Sequence, residues 1–99
     1  MARYNLIITP KAIKEIQNAV DYYNGQQKGL GKRFYADYKS QMTSLESNPY
    51  TRAIRYLDIR FAVLNKFPYA AHYSIQGKDI IVYAVLSMYQ SPETSWVNK

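Results

Sequence analysis

Apolar and polar positions change period twice along this chain of 99 residues, from a short β-like run to two helical stripes and then to strict alternation. Residues 3 to 8, Arg-Tyr-Asn-Leu-Ile-Ile, carry the aromatic and branched side chains that suit a strand, and Thr9-Pro10 follows at once as a helix N-cap with proline in the first turn. Beyond it Ile13, Ile16, Val20 and Tyr23 recur at helical spacing, with Lys11, Glu15, Asn18 and Tyr22 opposite, and Asn24-Gly25 supplies a stop. Leu30, Phe34, Tyr38, Met42 and Leu45 form a second stripe, which Asn48-Pro49 ends. The linker Gly-Gln-Gln-Lys-Gly-Leu-Gly is short, so the two helices are expected to fold back as an antiparallel hairpin.

After Pro49 the period becomes two. Residues 54 to 66 read as one strand, bent near Asp58, with Ile59, Phe61 and Val63 on one face and Arg60, Ala62 and Leu64 on the other. In residues 69 to 76, Tyr69, Ala71, Tyr73 and Ile75 share one face, while Ala70, His72, Ser74 and Gln76 share the other; one face is expected in the core and one open. Residues 79 to 89 are apolar on both faces, as a central strand requires. The order β-α-α-β-β-β segregates helices from strands and predicts an α+β fold, a helical hairpin packed on one face of a small, mainly antiparallel four-stranded sheet. The length suits a single domain over residues 1 to 99, with about 90 to 99 as a tail whose Trp96 packs back onto it.

Composition narrows the chemistry. With no cysteine, one histidine and seven acids, the chain offers no metal-ligand cluster, and no cofactor is expected. No apolar run approaches the roughly 20 residues of a membrane helix, and together with the missing cysteines this predicts a cytoplasmic protein. The net charge is +6, and half of that excess falls in the fifteen residues 52 to 66. Arg52, Arg55, Arg60 and Lys66 are therefore the candidate surface for an anionic partner, although a solvated basic strand edge that resists aggregation accounts for the same charges. Alternation sets Arg60 and Lys66 on one face as a local patch and Arg55 on the other. Among eleven tyrosines, Tyr22 and Tyr35 lie off the core stripes beside lysines, which suits an interface. Two residues are candidates for catalysis. His72 is the only side chain with an ordinary pKa near 6.5, but it projects from mid-strand without a nearby carboxylate to orient it, and Tyr89 follows the last strand, where it can stack on a base or close the sheet edge.

The element order, the segments DYYNGQQKGLGKRFYADYKSQMTSLESNPY and IRFAVLNKFPYAAHYSI, and an apolar IIVYAVL followed by Pro92 and Trp96 resemble the RelE/ParE superfamily of toxins from type II toxin-antitoxin systems. The likeness is greatest to ParE-like toxins and plasmid stabilisation proteins, and its most specific element is Lys-Phe-Pro-Tyr leading into a strand. The resemblance implies a small basic toxin held silent by a cognate antitoxin that wraps it with a C-terminal segment; without the antitoxin, exposed apolar surface is expected to give a homodimer. ParE-like relatives inhibit DNA gyrase, whereas RelE-like relatives cut mRNA in the ribosome without a metal. Many relatives place a His and then an Arg after the last strand, where this chain has Ser87 and Gln90. Neither supplies a base or a cation near neutral pH, so the expected function is binding a target such as gyrase and not RNA cleavage. A RelE-type endoribonuclease, or a degenerate toxin that retains only antitoxin binding, are the alternatives.

Overall fold

A computed structural model describes residues 3–89. The elements follow as β1 (Asn5–Ile8), α1 (Pro10–Gln26), α2 (Leu30–Ser47), a 3-10 turn (Pro49–Thr51), β2 (Ile54–Tyr56), β3 (Ile59–Val63), β4 (Tyr69–Gln76) and β5 (Asp79–Ser87). They form one sheet in the order β1-β5-β4-β3-β2, with β1 parallel to β5 and every other pair antiparallel. The fold is α+β as the pattern predicts, with five strands instead of four. The extra strand arises at Leu57-Asp58, where the chain reverses as a tight hairpin with Tyr56 opposite Ile59, so residues 54 to 66 are not a single bent strand. Leu57 takes a φ of +50°, a conformation rarely adopted by a leucine, and a sequence pattern does not announce it. The tail from residue 90, with Gln90 and Trp96, lies outside the described residues.

Both helices cover one face of the sheet. Thr9 caps α1, its hydroxyl accepting the Ala12 N–H at 3.2 Å, and Pro10 opens the first turn. The buried stripe of α1 is Ala12, Ile16 and Ala19, whereas Ile13, expected in the core, is 55% exposed. Small alanines let the helix lie close above β5, and that rotation carries Ile13 outward. The α2 stripe is as expected, with Phe34, Tyr38, Met42 and Leu45 all buried. Between the helices, a side chain at Gly31 would collide with the Val20 carbonyl, and its N–H donates to Asn24 Oδ1 at 2.9 Å. This close approach requires glycine.

β4 is covered on both faces. Ala71 and Tyr73 face the helices, where the Tyr73 hydroxyl donates to the Pro49 carbonyl at 2.6 Å. The other face, expected to be open, also buries Ala70, His72 and Ser74. Its polar members are tolerated because each finds a partner: Tyr56 Oη lies 3.0 Å from His72 Nδ1, and Tyr83 Oη 3.0 Å from Ser74 Oγ.

Candidate functional site

Arg33, Asp37, Gln41 and Ser44 recur on α2 at spacings of three and four, which places them on one flank of the helix. Asp37 is buried, and its carboxylate accepts the backbone N–H groups of Asn65 at 3.1 Å and Lys66 at 2.7 Å. These charge-assisted bonds hold the Lys-Phe-Pro-Tyr segment against the helix. Phe67 completes the attachment by packing edge-on against Tyr23 and Phe34, with ring centroids at 4.8 and 5.4 Å. Between helix and loop lies a groove of about 590 Å³, lined by Leu30, Arg33, Ser40, Asn65, Lys66 and Phe67 among others.

Further along the same flank, Arg52 Nη2 donates to Gln41 Oε1 at 2.7 Å and Nη1 to Ser44 Oγ at 3.3 Å. Arg60 Nη1 donates to the Arg52 carbonyl, and its guanidinium lies 5.3 Å above the Tyr50 ring. Arg33 and Lys66 thus stand at the groove, and Arg52 and, through it, Arg60 extend a cationic stripe along the same flank of α2. Arg60 and Lys66 do not lie side by side on one strand face, as parity suggests. β3 ends at Val63, so Lys66 belongs to the loop and joins Arg33 instead. Arg55 stands apart from the stripe, its guanidinium 4.7 Å above Phe61, a ring paired with His72 across β3 and β4. Arg33 escaped the sequence reading because the loop beside it is a distant segment, residues 65 and 66, that Asp37 draws in; the spacing of four between Arg33 and Asp37 was the available signal.

His72 is only 3% exposed and stacks on Phe61 at 4.0 Å. Burial, with the positive charges of Lys11 and Arg55, pushes its pKa from 6.5 down to about 4. The imidazole is therefore neutral at pH 7 and walled off from a large substrate. The unfolded chain binds this proton more readily than the folded one, so stability from this group is complete above about pH 6.5 and falls as pH drops toward 4. Wild-type protein is expected to lose about 2 kcal/mol between pH 7 and pH 5 from this residue alone, a loss that His72→Phe removes. Denaturant midpoints at the two pH values measure it, and equal pH sensitivity in the variant would contradict the assignment.

Tyr89 is 87% exposed, its N–H donating to Ser87 Oγ at 3.0 Å, so among described residues it does not close the sheet edge. The interface candidates Tyr22 and Tyr35 are both exposed; Tyr22 packs edge-on against Tyr23, and Lys39 Nζ lies 5.6 Å from the Tyr35 ring centre. Tyr35 also lines a smaller cavity of about 280 Å³ with Ile8, Ile13, Ile16 and Tyr38. Among the described residues no group of three His, Asp or Glu is placed to hold a metal, and no helix is long and apolar enough to cross a membrane.

Residues 6–92 match the family model of the ParE toxin of type II toxin-antitoxin system, parDE. Among solved structures, a chain described as the chromosomal ParDE TA system from P. aeruginosa has the same fold, with a TM-score of 0.76 at 19% identity, over 85% of this chain and 95% of that one. No curated protein matches the sequence.

Proposed function

The chain belongs to the ParE toxin family of type II toxin-antitoxin systems, and on that premise we propose that it acts in the cytoplasm by binding a macromolecular target, DNA gyrase by family resemblance, and is silenced when a cognate antitoxin covers the cationic flank of α2. Membership itself implies an antitoxin partner. The observation that carries the reading is the groove with its stripe. Arg33 and Lys66 are exposed at its walls and carry no ion pair among the described residues, while Leu30 and Phe67 add apolar surface. An acidic segment entering there meets cations in a cleft where water screens less than on open surface.

The residues at the strand end support a binder over a nuclease. Metal-free RNA cleavage needs a group to take the 2′-hydroxyl proton and cations to offset phosphate charge. Ser87 and Tyr89 carry hydroxyls and no cation, and His72 is buried with its pKa lowered to about 4, which makes it a weak base out of reach of an RNA strand. The reading is tested by DNA supercoiling with purified gyrase. The toxin is expected to inhibit the reaction, and added antitoxin to restore it. Undisturbed supercoiling, combined with codon-positioned cuts in ribosome-bound message, would replace this account with a ribosome-dependent endoribonuclease.

A further inference from the structure

We propose that β1 is a self-pairing edge: two copies of this chain join antiparallel through Asn5–Ile8 about a twofold axis at Ile7, producing one ten-stranded sheet. Among the described residues β1 has a sheet neighbour on one side only, β5. The Asn5 N–H donates to the Lys78 carbonyl at 2.8 Å and the Thr9 N–H to the Val82 carbonyl at 3.1 Å, so residues 5, 7 and 9 turn their backbone groups toward β5. Leu6 and Ile8 consequently turn theirs outward, where no partner stands among the described residues. Such a row of unpaired groups is a template for another strand.

The template is closed at both ends, because the Tyr4 N–H donates to the Glu46 carbonyl at 3.2 Å and Pro10 has none. Two donors and two acceptors remain, on Leu6 and Ile8, and they are self-complementary. With Ile7 opposite the partner's Ile7, Leu6 faces the partner's Ile8 and Ile8 faces the partner's Leu6, an arrangement in which each pair exchanges both hydrogen bonds. The side chains agree with this register. Ile7 is 44% exposed, and on the axis it meets its own copy in the closer, non-hydrogen-bonded kind of pair. Ile8 lines the cavity between α1 and α2 whose other walls include the exposed Ile13 and Tyr35, so apolar surface adjoins the edge.

β1 carries no charged residue to discourage pairing, whereas β2 at the opposite edge is three residues long, carries Arg55 and shifts register between Ile54 and Tyr56. With one receptive edge per copy, association closes at a dimer and does not run on into a fibre. Each copy brings a charge of +6, so salt should strengthen this contact while it weakens the contact with an acidic partner. The inference does not depend on the proposed antitoxin surface.

The chain has no cysteine, so Ile7→Cys installs a single thiol at the axis, where the Cα separation of about 4.5 Å in such a pair suits a disulfide. Mild oxidation of that variant is expected to give mostly cross-linked dimer, while Leu57→Cys, at the exposed turn of the far edge, stays monomeric. By sedimentation the wild-type chain is expected to be a dimer and Ile7→Lys, a change at a half-exposed site checked for folding by circular dichroism, a monomer that still binds antitoxin. Cross-linking of Ile7→Cys no faster than Leu57→Cys, or a wild-type monomer at every concentration, overturns the proposal. A wild-type monomer together with loss of antitoxin binding in Ile7→Lys would assign the edge to the antitoxin instead.

Discussion

Phe34→Ala is expected to lower folding stability by about 3–5 kcal/mol, the range for truncating a buried aromatic residue. Phe34 is fully buried, and its ring lies 5.6 Å from Tyr23, 5.4 Å from Phe67 and 5.1 Å from Tyr69, centre to centre. The space it leaves cannot close easily, because those rings are anchored on α1, on the loop and on β4. A domain of this size is stable by only about 5–15 kcal/mol, so the variant should lie near its unfolding threshold. Loosening Phe67 would also release the loop that presents Lys66, so antitoxin affinity should fall with stability. Tyr35→Ala, at a neighbouring but exposed position on α2, should stay within about 0.5 kcal/mol. An unchanged denaturation midpoint for Phe34→Ala would mean that α2 presents a different face to the sheet.

The second large effect is on binding. Arg33→Glu combined with Lys66→Glu is expected to weaken antitoxin affinity about 100-fold, or about 2.7 kcal/mol, with the melting temperature nearly unchanged. Both side chains are exposed at the groove, and the structural bonds at position 66 come from its backbone N–H, which glutamate retains. Arg52 is a poorer test. Its guanidinium satisfies the buried Gln41 side chain, so removing it destabilises the end of α2 as well as removing charge. Arg55→Glu, apart from the stripe, is the control; it changes the net charge by half as much as the double variant and should change affinity by no more than about threefold. A loss in Arg55→Glu of about half the double variant's in free energy, about tenfold, would mean that net charge and not the groove governs association.

The readable parts of this fold were those governed by local chemistry. The stripe from Leu30 to Leu45 keeps one period over its whole length, and Thr9-Pro10 joins two start signals, so α2 and the beginning of α1 stand where the pattern sets them. Where distant contacts decide, the pattern misleads. Hydrophobicity ranks Ile13 above Ala12 and Ala19, yet close packing on β5 favours the small residues. The β2–β3 hairpin has neither glycine nor asparagine in its turn, so Asp58 signalled a bend there but not a full reversal. His72 and Ser74 read as an open face because their hydroxyl partners, Tyr56 and Tyr83, come from other strands.

The candidate site was legible as charge but not as shape. Lys66 and Arg52 stood out in a basic segment, but the groove exists only because Asp37 draws residues 65 and 66 onto α2 from 28 and 29 positions away. That attachment brings Arg33 in and leaves Arg55 out. The segment that carried the family resemblance most specifically, Lys-Phe-Pro-Tyr, is the one the buried carboxylate and the aromatic cluster hold in place.

Titration of the wild-type toxin with its antitoxin across a range of salt concentrations tests the cationic flank most directly. Raising salt from about 0.1 to 1 M shortens the screening length from about 10 to 3 Å. If the stripe beside α2 receives an acidic segment, affinity should fall by at least about tenfold over that range, and the Arg33→Glu, Lys66→Glu variant should lose most of this dependence. An affinity that is indifferent to salt, or that rises with it, would contradict the account.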